Sequence, residues 1–123
     1  ALRHATRMSS GPSASRLFGD WTIRGEAAVA NEPKGRIAFR FHARDVHLVM
    51  GPTAREVPVA FRVSIDGAPP GSSSGTDVHE DGSGLLDEQR MYQLIRQQSP
   101  IDDRTFEIEF LDAGAEAFAF TFG

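Results

Sequence analysis

Cysteine is absent from all 123 residues, which removes disulfide staples, thiol catalysis and thiolate metal sites together. That absence leaves the compartment open, because a domain of this length can be stable without disulfides. No apolar run approaches the roughly 18 residues of a membrane-spanning helix, and the first residues lack the apolar centre of a signal peptide. The expectation is a protein soluble on its own or a piece cut from a longer polypeptide, with no membrane insertion by this domain. Positive charge is also scarce. Thirteen Lys and Arg against 17 Asp and Glu give a formal charge of −4, too weak a positive field to hold a phosphate backbone or an anionic membrane surface. Nucleic acid is not an expected partner. A phosphate-cradling glycine motif and a nucleophile elbow are missing too, and Gly71-Ser-Ser-Ser-Gly75 reads as a plain flexible loop.

What the chain does have is phenylalanine at period two. Phe106, Ile108 and Phe110 alternate with Thr105, Glu107 and Glu109. After a Gly114 turn, Phe118, Phe120 and Phe122 alternate with Ala117, Ala119 and Thr121. This spacing belongs to strands with one buried face. Burying each such side chain is worth about 1.5–3 kcal/mol, so these last two strands should lie in the middle of the core.

The same texture runs upstream. Trp21 and Ile23 form an apolar pair, Glu26 to Ala30 a short weak strand, and Asn31 to Gly35 a turn. Ile37, Phe39 and Phe41, then Val46, Leu48 and Met50, make a candidate hairpin. The longest strand is expected over Val57 to Asp66, with Pro58 opening it or lying at an edge. Thr76 to His79 and Gly84 to Asp87 suit only short strands. Gln89 to Arg96 keeps period two at Tyr92 and Leu94, which favours a strand over a helix. Residues 1–15 show neither period and read as a linker or disordered arm, leaving 16–123 as one domain. Eight to ten strands at about 8–12 residue spacing suggest an antiparallel sandwich or barrel, and the lack of a covering helix favours two sheets face to face. Arg36, Arg40, Arg62, Glu107 and Glu109 face outward and can pair across neighbouring strands.

Six stretches in order, Gly19-Asp-Trp-Thr-Ile23, Ala43-Arg-Asp-Val-His-Leu-Val-Met50, Val63-Ser-Ile-Asp-Gly67, Asp87-Glu-Gln-Arg-Met-Tyr-Gln-Leu-Ile95, Thr105-Phe-Glu-Ile-Glu-Phe110 and Phe118-Ala-Phe-Thr-Phe-Gly123, resemble the C-terminal domain of DipZ-type thioredoxin-like proteins of bacteria. In that family a membrane part related to cytochrome c biogenesis proteins can precede a thioredoxin-like domain and then this one. The resemblance implies an all-β, antiparallel jelly-roll β-sandwich, similar to carbohydrate-binding modules and galactose-binding-like domains. It implies an extracytoplasmic place, periplasm or cell envelope, and a thioredoxin-like domain of the same parent chain as partner. The family's redox chemistry resides in cysteines that this chain does not have. No oxidoreductase role transfers to any residue here, and the fragment is expected to be no enzyme.

The resulting expectation is a non-catalytic accessory domain that binds glycan or cell-envelope material or packs on the redox domain. The alternative is an oligomerisation module without a small-molecule ligand. For a sugar site the candidate set is Trp21, Arg90, Tyr92 and Gln93: an aromatic face on which a pyranose can stack, flanked by hydrogen-bonding groups. The competing reading makes Trp21 and Tyr92 core residues with a polar tip at the rim, since they share the parity of Ile23 and Leu94. Asp77, Asp81 and Asp87 in a Gly-containing loop are a candidate calcium set, against an ordinary acidic turn; His79 stands where an EF-hand needs Asp or Asn. No other cofactor is expected. His42 and His47 flank one turn and face outward without a third ligand, as surface histidines do.

Overall fold

A computed structural model describes residues 15–98 and 100–123. The expected arm therefore lies outside the described residues, except for Ser15, which is buried. Ten strands follow one another: β1 (Arg16–Phe18), β2 (Trp21–Arg24), β3 (Ala27–Ala30), β4 (Gly35–Phe41), β5 (Asp45–Pro52), β6 (Val59–Ile65), β7 (Ser83–Leu86), β8 (Arg90–Arg96), β9 (Arg104–Phe110) and β10 (Ala115–Phe122). The single helical element among the described residues is a 3-10 turn, Gly71–Ser73.

The strands form two five-stranded antiparallel sheets, β1-β4-β9-β6-β7 and β2-β3-β10-β5-β8. From β3 onward the pairing is nested, β3 with β10, β4 with β9, β5 with β8 and β6 with β7. This is the winding of a jelly roll. The fold is thus the all-β sandwich expected, and β9 and β10 stand at the centre of their sheets. Phe106, Ile108 and Phe110 are fully buried, and Phe39 stacks on Phe106 at 4.9 Å with Phe120 edge-on at 4.8 Å. Across the outer face Arg36 reaches Glu107 at 3.2 Å, one of the expected charge pairs.

Several local expectations are corrected. The proposed β4–β5 hairpin does not form, because the two strands lie in opposite sheets; alternation records which side is buried and cannot name the partner strand. The short strand expected over Glu26 to Ala30 does form, as β3, buried at all four positions; small side chains let it sit between β2 and β10. Val57 is outside β6 and exposed, since Pro58 has no N–H to give a ladder. Thr76 to His79 is a turn, attached to β8 through the Ser74 to Ile95 bridge. Ile23 has inward parity yet is 42% exposed, because β2 is an edge strand.

The phenylalanine run of β10 also breaks its own period. A register shift between Ala117 and Ala119 inserts Phe118 as a bulge. Ala115 and Ala117 therefore point inward before it and Phe120 after it, and Phe118 is only half-buried. Phe122 keeps an edge contact to Phe39 at 5.7 Å but is 41% exposed at the end of the strand. A bulge of this kind re-aims the residues beyond it.

Candidate functional site

The registers bring the connections β1–β2, β3–β4, β5–β6, β7–β8 and β9–β10 to one pole, where each crosses between sheets. Here lies a cleft of about 700 Å³ lined by Thr53, Arg55, Asp87, Glu88, Gln89 and Glu116. The β5–β6 and β7–β8 connections and, through Glu116, the start of strand β10 supply it, three segments separated in sequence, which is why no local motif announced it. Of these residues, only Asp87 was a candidate site residue from the sequence, and there as part of the calcium set.

The floor is built by close approach. A Cβ on Gly51 would stand 2.8 Å from Gln89 Cα, so glycine at this point of β5 lets the β7–β8 turn lie down on the strand end. Thr53 is held by Gly114, whose carbonyl accepts both its N–H at 2.7 Å and its hydroxyl at 2.8 Å. Arg24 lies 3.9 Å from Glu116.

Tyr92 fixes the β7–β8 turn from below. Its hydroxyl accepts the N–H groups of Asp87 at 3.3 Å and Glu88 at 3.2 Å and donates to the Glu88 carbonyl at 2.7 Å. Burial raises the Tyr92 pKa despite these bonds. Arg90 lies over the Tyr92 ring, 3.8 Å from its centroid, and pairs with Asp77 at 2.9 Å and Glu88 at 3.4 Å. Burial tends to raise the Asp77 carboxyl, but the Arg90 guanidinium and the Gln93 N–H, which donates at 2.7 Å, outweigh it and hold the pKa below its usual value. A stacked cation bonded to two carboxylates makes this corner rigid.

Of the four residues expected to form a sugar platform, Arg90, Tyr92 and Gln93 adjoin on β8 and Trp21 stands apart from them. Trp21 and Tyr92 are both fully buried and stand on opposite edge strands of the same sheet, β2 and β8. Trp21 donates its Nε1–H to the Phe18 carbonyl at 2.8 Å and packs edge-on against Phe110 at 6.0 Å. Each ring was read either as platform or as core, and burial puts both in the core. Arg90 and Gln93 flank Tyr92, with Gln93 exposed.

The candidate calcium residues are engaged separately. Asp77 serves Arg90 and Gln93. Asp81 caps its own turn, accepting the Ser83 N–H at 2.9 Å and hydroxyl at 2.6 Å, and the Ser83 hydroxyl is the first cause of its lowered pKa. Asp87 sits beside the Tyr92 hydroxyl at 3.3 Å. Among the described residues no group of three or more His, Asp or Glu side chains is arranged to hold a metal ion. His42 pairs with Asp103 at 2.6 Å, whereas His47 lies 3.5 Å from the Thr121 hydroxyl; the two histidines have separate partners.

Chemically, the cleft offers carboxylate and amide oxygens that accept hydroxyl protons, with a guanidinium and an amide NH₂ to donate. Neither histidine nor serine lines it.

Comparison with known proteins agrees with this geometry at the level of fold. The family model for the thioredoxin like C-terminal domain matches residues 4–123. No curated protein matches the sequence. Among solved structures, a family two carbohydrate esterase from Cellvibrio japonicus is similar, with TM-score 0.67 and 15% identity over 95% of this chain and 32% of that one. A family two carbohydrate esterase from Clostridium thermocellum in complex with cellohexaose has TM-score 0.62 and 9% identity over 84% of this chain and 29% of that one. The chain thus spans about a third of the esterases. CsCBM6-3 from Clostridium stercorarium, in complex with cellobiose, has TM-score 0.55 and 10% identity over 98% of this chain and 93% of that one. At such identities what is shared is the carbohydrate-binding-module-like fold.

Proposed function

Since the chain belongs to the thioredoxin like C-terminal domain family, we propose that it is a non-catalytic accessory domain that binds neutral glycan in the polar cleft. The supporting observation is the cleft itself, about 700 Å³ of preorganised space lined by Asp87, Glu88, Gln89 and Glu116, whose oxygens suit vicinal hydroxyls. It needs no cofactor. The finer resemblance, to DipZ-type proteins, supports a place beside a thioredoxin-like domain in the periplasm or cell envelope, where glycan is abundant. In this reading the sandwich holds the redox neighbour near that material.

Calorimetric titration with cello-oligosaccharides and a panel of envelope glycans tests the proposal. Binding that falls at least about tenfold in Gln89→Ala and Glu116→Gln, the scale of one lost hydrogen bond to a charged or amide group, supports it. Silence across the panel removes it. A second reading, docking of a protein partner, is favoured by one row on the outer face of a sheet, where Met91, Val49 and Ala119 stand side by side on β8, β5 and β10 with Met91 45% exposed. Sedimentation of the chain, alone and with its thioredoxin-like neighbour, separates the two readings.

A further inference from the structure

The opposite pole carries a second recess. Arg40, Phe41, His42, Ala43 and Phe122 line a pocket of about 330 Å³, which reaches the roughly 300 Å³ at which small-ligand sites begin. Phe122, 41% exposed, is the most exposed Phe, Tyr or Trp ring among the described residues. The β10 bulge and the strand's end bring it there, and its contact with Phe39 holds it edge-on. No carboxylate lines this pocket, whereas three line the polar cleft.

Two polar side chains, Arg40 and His42, line the pocket beside Phe122. Arg40 spends one N–H on the Thr105 hydroxyl at 3.1 Å and has no carboxylate within ion-pair distance among the described residues. The acidic groups nearby are engaged elsewhere: Asp66 accepts from Arg104 Nε at 2.6 Å, and Asp103 takes His42 Nδ1 at 2.6 Å. The ionised Asp103 carboxylate only accepts, so it engages His42 through Nδ1–H, and Nε2 is the ring nitrogen that remains for a ligand.

We propose that this pocket is a second saccharide site, for a sugar ring bearing a carboxylate. The Phe122 face packs on the ring's C–H side, Arg40 takes the carboxylate, and the second nitrogen of the His42 ring hydrogen-bonds a hydroxyl. The volume admits one uronate unit, half the space of the polar cleft. That the ligand is a saccharide rests on the reading above; its charge and its place do not.

Digalacturonate titrated into the whole chain, followed by amide NMR, tests this against galactobiose as the neutral counterpart. Digalacturonate should shift the amides of residues 40–43 and 122, bind more tightly than galactobiose, and weaken about tenfold or more in Arg40→Gln, as expected for a lost charge-assisted hydrogen bond. Phe122→Ala should weaken it likewise, and Gln89→Ala should leave it unchanged. Because Arg40 is exposed, Arg40→Gln keeps the fold even where Phe122→Ala does not. Equal binding of galactobiose, shifts gathered at residues 53, 87–89 and 116, or no shift at all would overturn the proposal. Cello-oligosaccharide binding at the cleft is read in the same spectra, so either site can fail without the other.

Discussion

Replacing Tyr92 by Phe removes one oxygen and tests the architecture of the cleft. The ring stays, with Arg90 above it at 3.8 Å and Phe61 edge-on at 6.3 Å, so the core keeps its volume. The Asp87 and Glu88 N–H groups and the Glu88 carbonyl lose their partner. A buried group left without a partner costs about 1–3 kcal/mol, but Asp87 and Glu88 face solvent and water can replace part of the loss. The net cost should be about 1–2 kcal/mol, toward the low end for three groups. For a domain of this size each kcal/mol moves Tm by about 4 °C, so a fall of about 4–8 °C is expected by circular dichroism. Amide hydrogen exchange at residues 87–88 should accelerate more than that at β9 amides, and cello-oligosaccharide affinity at 25 °C should drop although the domain remains folded. An unchanged Tm with unchanged exchange at 87–88 would refute the claim that the hydroxyl pins the turn.

Other consequences are as concrete. Gly84→Ala would drive a Cβ into the Phe61 ring, with Phe61 Cε1 at 2.6 Å, and overpacking of this kind costs about 1–3 kcal/mol; a urea midpoint equal to that of the parent would refute it. Asp77 titrates below its ordinary 3.8 in the folded chain, so its contribution is complete above that value and is lost as pH falls through the folded pKa. Asp77→Asn should therefore lower stability at pH 7 and flatten the loss below about pH 4, read from denaturation at several pH values. Trp21 is fully buried and bonded to Phe18; its fluorescence should resist iodide quenching and stay unchanged when glycan is added. Quenching by either would place the indole in solvent.

Much of the fold is legible in the residues because burial acts locally and with a fixed period. Phe106, Ile108 and Phe110 on one side and Glu107 and Glu109 on the other leave β9 one way to face, and its central position follows from how much apolar surface it must hide. Gln89 to Arg96 is resolved as a strand by the same rule. The period fails where a single extra residue enters. The bulge at Phe118 reverses the parity expected for Ala117, and the edge position of β2 exposes Ile23 despite its inward register. Neither depends on the identity of the residue itself.

The candidate site divides in the same way. The acidic turn at Asp87 and Glu88 and the pairing of aromatic with charged side chains are visible as composition. Which aromatic reaches solvent is not: Trp21 and Tyr92, the amphipathic rings that composition favours, are enclosed, and Phe122 emerges instead. The chain by itself determined an all-β, cysteine-free, weakly acidic domain with its last two strands at the centre, because side-chain alternation and charge are properties of short segments. Only the tertiary structure decided that Thr53, Gln89 and Glu116 share one cleft and Arg40 and Phe122 another, because crossing connections and strand register bring together residues tens of positions apart.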